Sequence, residues 1–170
     1  VEQVLWVNRQ LRIENEKLKT GTPNAQPSTL NPQLTNIVFM GMGEPFANYN
    51  PVMTAIARMT EAEDVGGIGL GARKVTVSTV GLVQGIRKFA EEGGKVNLAV
   101  SLHAGTDELR NKLVPINERY PLEMLTEAIR DYINSTNRRV SFEWALIEGV
   151  NDTVEQAHAL VDVVRQTYDP

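Results

Sequence analysis

The chain has 170 residues, 42% of them apolar, enough for one domain with a core of its own. A formal net charge of −4 argues against a protein that grips nucleic acid by overall charge. With no cysteine, disulfides, thiolate nucleophiles and cysteine-held metals are excluded within the chain, and two isolated histidines, His103 and His158, do not suggest a metal site.

No run approaches the roughly 20 apolar residues of a membrane span, and no signal peptide opens the chain, so the expectation is a cytoplasmic protein without membrane contact. The chain starts at Val1 and stops at Pro170, where a new strand is due. It therefore reads as one incomplete domain, residues 1–170, internal to a longer protein.

Val1, Val4, Leu5, Asn8 and Leu11 follow helical spacing and predict a helix to about residue 18. Residues 20–35 are rich in Thr, Pro, Asn and Ser, a loop signature. Asn36 to Gly41 is a short apolar run with the look of a buried strand, and Pro51 to about Glu63 returns to helical spacing. The glycines of residues 66–74 precede a strand, whereas a phosphate loop follows one and opens a helix, so a plain flexible connection is expected.

Lys74 to Val80 reads as the second strand, and Leu82, Val83, Ile86, Phe89 and Ala90 form a helical stripe. Lys95 to Leu102 is the third strand. Thr106 is placed to cap the short helix that follows, which Pro115 ends. Pro121 suits the first turn of another helix, with Leu122, Leu125, Ile129, Tyr132 and Ile133 on one face. Arg139 to Ile147 is the fourth strand. Thr153 and Gln156 resemble a capping box before a helix with Val154, Ala157, Leu160, Val161 and Val164 inside. His158 falls in that helix as a structural or exposed residue.

Alternating strands and helices make parallel sheets, and right-handed crossovers curl four such strands into part of a barrel or a doubly wound sheet. In the barrel case the site lies at the carboxyl ends of the strands. Four polar tips stand there: residues 41–45 (GMGEP), 77–81 (VSTVG), 100–104 (VSLHA) and 148–152 (EGVND). Glu44, beside bare glycines, suits an ammonium group, or equally serves a tight turn as a helix-dipole carboxylate. Ser78 and Ser101 offer hydroxyls to a ribose or a carboxylate, or simply end strands. His103 bonds a ligand or caps a loop. The Asn151 amide reads a base or ribose, or with Asp152 serves the turn.

A serine, His103 and Glu44 compose a hydrolase triad on paper, but no nucleophile elbow accompanies them. A phosphorylated ligand would call for basic residues at the tips, which carry none. The basic pairs Arg73-Lys74, Arg87-Lys88, Arg110 with Lys112, and Arg138-Arg139 leave local basic patches open, though most such pairs are simply solvated helix faces.

Taken together, GMGEP, VTVSTVGL, LAVSLHA with TDELRNKLVPINERYPL, and FEWALIEGVND resemble the radical S-adenosylmethionine (SAM) adenine-C2 methyltransferases, which methylate 23S rRNA and tRNA. The resemblance covers residues 1–12 and 36–167, with the motifs in family order. It implies an α/β fold, a partial (β/α) barrel of the radical SAM type, with four parallel strands and flanking helices in this chain. It also implies SAM across the strand tips, held by Gly43 and Glu44 at its amino-acid end, and by Ser78, Ser101, Leu102, His103 and Asn151.

The resemblance further implies a [4Fe–4S] cluster, an electron donor to reduce it, and 23S rRNA and tRNA as partners. Adenine C2 is neither acidic nor nucleophilic enough for polar methyl transfer, and the family's radical route needs a cluster on thiolates. In the family the cluster cysteines precede this stretch, and the methyl-carrying cysteine follows it. The expectation is therefore a chain with most of the SAM cradle, no catalytic or metal-binding residue, and no activity alone. The alternative is a non-catalytic SAM-binding module or an unrelated cysteine-free barrel.

Overall fold

The computed structural model describes residues 34–168 and, ahead of them, Arg9, Gln10 and Ile13, which are helical. The rest of the expected helix over 1–18, and nearly all of the 20–35 loop, lie outside the described residues. Strands β1 (Ile37–Phe39), β2 (Val75–Thr79), β3 (Asn97–Ser101) and β4 (Val140–Glu143) form one sheet in sequence order, and every neighbouring pair is parallel. Helices α1 (Tyr49–Thr60), α2 (Val83–Glu92), α3 (Asp107–Leu113), α4 (Leu122–Thr136) and α5 (Val154–Tyr168) complete the βα alternation. This is the expected α/β architecture of four parallel strands with flanking helices.

The pairing register explains how the sheet gains two unlike faces. Side chains alternate along a strand, so residues in register share a face. Val77 is opposite Leu98, and Leu98 is opposite Val140. These join Val75 and Val100 in the core with Ile86, Phe89, Leu125, Ile129 and Tyr132. The Phe89 ring stacks on Tyr132 with centroids 6.1 Å apart. Each such fully buried side chain contributes about 1.5–3 kcal/mol. The other face carries Val38, Thr76 and Asn97 in one row, then Ser78, Ala99 and Ser141, then Ser101 and Glu143. Small and polar side chains there leave room for a ligand at the strand ends.

Several expectations are corrected. The first strand is the edge of the described sheet, and Val38 and Met40 are 52% and 51% exposed rather than buried. The fourth strand stops at Glu143, because the Ala145 backbone turns away to bond His103 and Asn151. The 66–74 connection is anchored, not loose: Gly67, Gly69 and Leu70 amides donate to carbonyls at the end of α1 and just beyond it, and Ile68 and Leu70 are buried.

Thr106 occupies the cap position of α3 but its hydroxyl makes no cap bond, while its carbonyl accepts from Arg110 N. Pro121 stands one residue before α4. In α5 Val163 and Thr167 are buried, Leu160 packs partly buried against the core as expected and Val164 is half-buried, while Val154, Ala157 and Val161 are exposed. The helix offers two apolar lines at helical spacing, and packing on α4 and β4 selects one, through Arg130 Nε to Gln166 O and Tyr168 Oη to Val140 O. The capping box is half made. Thr153 Oγ1 accepts from Gln156 N at 3.3 Å, while Gln156 Oε1 reaches across to accept from Gly105 N at 3.1 Å.

Candidate functional site at the strand tips

A cleft of about 580 Å³ opens at the carboxyl ends of β1, β2 and β3, lined by Met40 to Pro45, Ser78 to Val80 and Ser101 among others. Sequence dictates its floor. Gly41 and Gly43 adopt φ of 137° and 89°, a region that L side chains avoid, and a Cβ at either position would meet nothing within 4 Å. The backbone there is bare toward the cleft. Glu44 then caps the 3₁₀ turn Pro45–Asn48, accepting from Phe46 N at 2.9 Å through Oε1. Its Oε2 accepts from Val80 N at 2.8 Å, which ties the β1 tip to the β2 tip.

Ser78 and Ser101 leave their strands on the polar face, and their hydroxyl oxygens lie 3.3 Å apart. Gly43, Glu44, Ser78 and Ser101 are thus brought together in one wall.

Leu102, His103 and Asn151 form the adjoining corner, where β3 meets β4. Leu102 is fully buried, so its side chain belongs to the core and only its backbone reaches the tip. His103 has φ 59°, a left-handed conformation that turns the chain sharply. Asn151 Nδ2 donates to His103 O and to Ala145 O, both at 2.8 Å, and Asn151 Oδ1 accepts from Ile147 N at 2.7 Å. The 2%-exposed Asn151 amide is therefore engaged within the chain and fixes the histidine's turn.

His103 Nδ1 accepts from Ala145 N at 3.1 Å, leaving Nε2 to carry the proton of the neutral ring. Burial, and then the Arg110 cation, hold its pKa below 6.5, against the opposing pull of Glu143. Among the hydrogen bonds of the described residues none joins His103 to either serine or to Glu44, so the paper triad is not assembled.

Arg110 is the residue that sequence reasoning missed. It sits on α3 with no solvent exposure. Its Nη2 donates to Val80 O at 2.7 Å and Ser101 O at 3.2 Å, its Nε to Leu102 O at 3.2 Å, and its Nη1 to Asn117 Oδ1 at 2.8 Å. Burial lowers its pKa to about 10, opposed by Asp107, so it stays charged at neutral pH. The pair Arg87 and Lys88 does behave as a solvated face, with Arg87 near Glu127 and Asp131 and Lys88 near Glu92. Nothing in the spacing of Arg110 and Lys112 separates the two cases.

No family model matches the chain. The chain is 46% identical over 167 residues to a probable dual-specificity RNA methyltransferase RlmN of Chloroflexus aurantiacus, covering 98% of this chain and 41% of that protein. A protein of the same name from Frankia casuarinae is 57% identical over 132 residues, covering 78% of this chain and 31% of its own length. The crystal structure of a radical SAM methyltransferase from Sphaerobacter thermophilus superposes with a TM-score of 0.81 at 44% identity, over 96% of this chain and 42% of that one. The chain spans less than half the length of these relatives. Over the stretch that it covers, the chain belongs to the radical SAM family of RlmN-type RNA methyltransferases.

Proposed function

We propose that this chain supplies the SAM-binding strand tips of a radical SAM enzyme that methylates C2 of adenine in 23S rRNA and tRNA. The observation that carries the reading is the convergence of the bare Gly41–Gly43 backbone, Glu44, Ser78 and Ser101 on one cleft. The Glu44 carboxylate and the Gly43 backbone suit the ammonium of the amino-acid end. The Ser78 and Ser101 hydroxyls suit a carboxylate or ribose, and His103, at the adjoining corner, keeps an Nε2–H free of the Ala145 bond. Leu102 serves through its backbone, and Asn151 by holding His103 in its turn.

SAM, when bound, supplies the methyl group and the radical chemistry that adenine C2 requires. The cluster that would initiate it does not fit this chain, which has no cysteine. Among the described residues no group of three or more His, Asp or Glu is placed to hold a metal ion. Cluster, electron donor and RNA partners therefore belong to the full-length protein, and these 170 residues form one part of its core and lack activity alone. Among the described residues no helix is long and apolar enough to cross a membrane.

The test is mass spectrometry for 2-methyladenosine in 23S rRNA and tRNA after incubation with SAM and a reductant. The full-length, cluster-loaded protein is expected to form it, and the isolated chain is not. Absence of the product with the loaded full-length protein, while SAM still binds, would favour a non-catalytic SAM-binding module instead.

A further inference from the structure

The sheet ladder between β2 and β3 ends at Thr79 and Val100, yet two cleft residues, Val80 and Ser101, stand at or beyond that end. Ser101 still pairs with Glu143 of β4 and the Val80 amide bonds Glu44, but what joins the Val80 and Ser101 carbonyls to each other is Arg110. We infer that Arg110 is a positioning residue for the cleft, whose guanidinium holds the Val80, Ser101 and Leu102 carbonyls at one spacing so that the β2 and β3 tips face a single ligand. The inference rests on the SAM-binding reading above.

Three observations carry it. A guanidinium is a rigid planar fork, and here each of its nitrogens is used, three of the bonds going to strand-tip carbonyls. The fork is itself held. Asn117, 1% exposed, takes Nη1 and passes its own amide to Asp107 Oδ1 at 2.8 Å and Asn111 Oδ1 at 2.7 Å. Asp107 Oδ1 also accepts from Leu122 N at 2.9 Å, which anchors the group to the start of α4. The chain also makes room for the fork: a Cβ on Gly81 would lie 3.3 Å from Arg110 Nη2.

A buried cation is a poor choice for stability, since desolvation costs several kcal/mol and apolar replacements of buried charges are often neutral. The Val80 amide donates to Glu44 while the Val80 carbonyl accepts from Arg110, so the β1, β2 and β3 tips become one linked set.

The experiment measures SAM affinity and thermal midpoint together, in the full-length protein and its Arg110→Met and Arg110→Lys variants. Ile129→Val serves as a buried core variant that takes part in none of these hydrogen bonds. Arg110→Met is expected to weaken SAM binding about tenfold or more, beyond what Ile129→Val does at an equal loss of midpoint, and Arg110→Lys to recover part of the affinity. Affinity that falls no further than in Ile129→Val overturns the inference. Should both Arg110 variants fail to fold, Asp107→Asn keeps the cation and loosens its support. Weaker SAM binding by that variant supports the inference, and unchanged binding overturns it. A wild-type protein that does not bind SAM would overturn the functional reading and this inference with it, whereas wild-type binding with indifferent variants sinks the inference alone.

Discussion

The Glu44 carboxylate accepts the Val80 backbone amide at 2.8 Å across 36 residues of sequence, joining the tips of neighbouring strands. The same carboxylate accepts from Phe46 N at 2.9 Å, so it is oriented before any ligand arrives. A hydrogen bond to a charged group contributes about 1.5–3 kcal/mol. Glu44→Gln can keep only one acceptor oxygen, and turns a donor toward the other amide. It is expected to lower unfolding stability by about 1–3 kcal/mol in urea titration, and to weaken SAM binding.

Asn151→Ala removes both donors and the acceptor that hold the corner between β3 and β4. The carbonyls of His103 and Ala145 and the amide of Ile147 lose their partner. An unsatisfied buried group costs about 1–3 kcal/mol, and one or two of these will find water, so a loss of about 2–4 kcal/mol is expected. Faster proteolysis of the loop at 145–150, compared with wild type under native conditions, checks that the loss is local.

His103 titrates below 6.5 because burial and Arg110 disfavour its cation. A depressed folded pKa means that the unfolded chain binds the extra proton first, so this group's contribution is full above about 6.5 and is lost as pH falls below it. His103→Gln removes that component. The expected outcome is a shallower fall in stability below about pH 6.5 than in wild type, with NMR titration of the wild-type ring showing a midpoint below 6.5.

Gly105 lies where α5 crosses the chain after β3, and a Cβ there would fall 2.5 Å from Ala159 Cβ and 2.6 Å from the Ala159 backbone carbon. Backbone cannot yield cheaply, so Gly105→Ala is expected to destabilise by about 1–3 kcal/mol and to strain the Gln156 to Gly105 bond. A thermal melt that moves by less than about one degree would contradict this account of the crossing.

The strands and the first three tips were legible because Val77, Leu98, Val100 and Val140 mark the covered face in apolar runs, with glycine or polar residues after them, whereas residues 148–152 lie in a turn beyond the end of β4 at Glu143. Gly43, Glu44, Ser78 and Ser101 could be placed on one side because parallel βα units put all their tips at the same end. What stayed hidden depended on tertiary choice. Nothing in the α5 sequence prefers Val163 over Val161 as the buried line. Arg110 reads like any charged residue of a short helix, since its burial is set by carbonyls 8 to 30 residues away in sequence. Asn151 looks like a ligand-reading amide until its partners, His103 and Ala145, are folded against it. The edge exposure of Val38 follows from strand order, which an apolar run does not encode.

The central claim, that the β1, β2 and β3 tips hold SAM, is tested most directly by titrating SAM into the isotope-labelled protein and following backbone amide resonances. The account predicts saturable shifts centred on Gly43, Glu44, Ser78, Ser101 and His103, reduced in Glu44→Gln. Saturable shifts centred elsewhere on the molecule, or none at millimolar SAM, would contradict it.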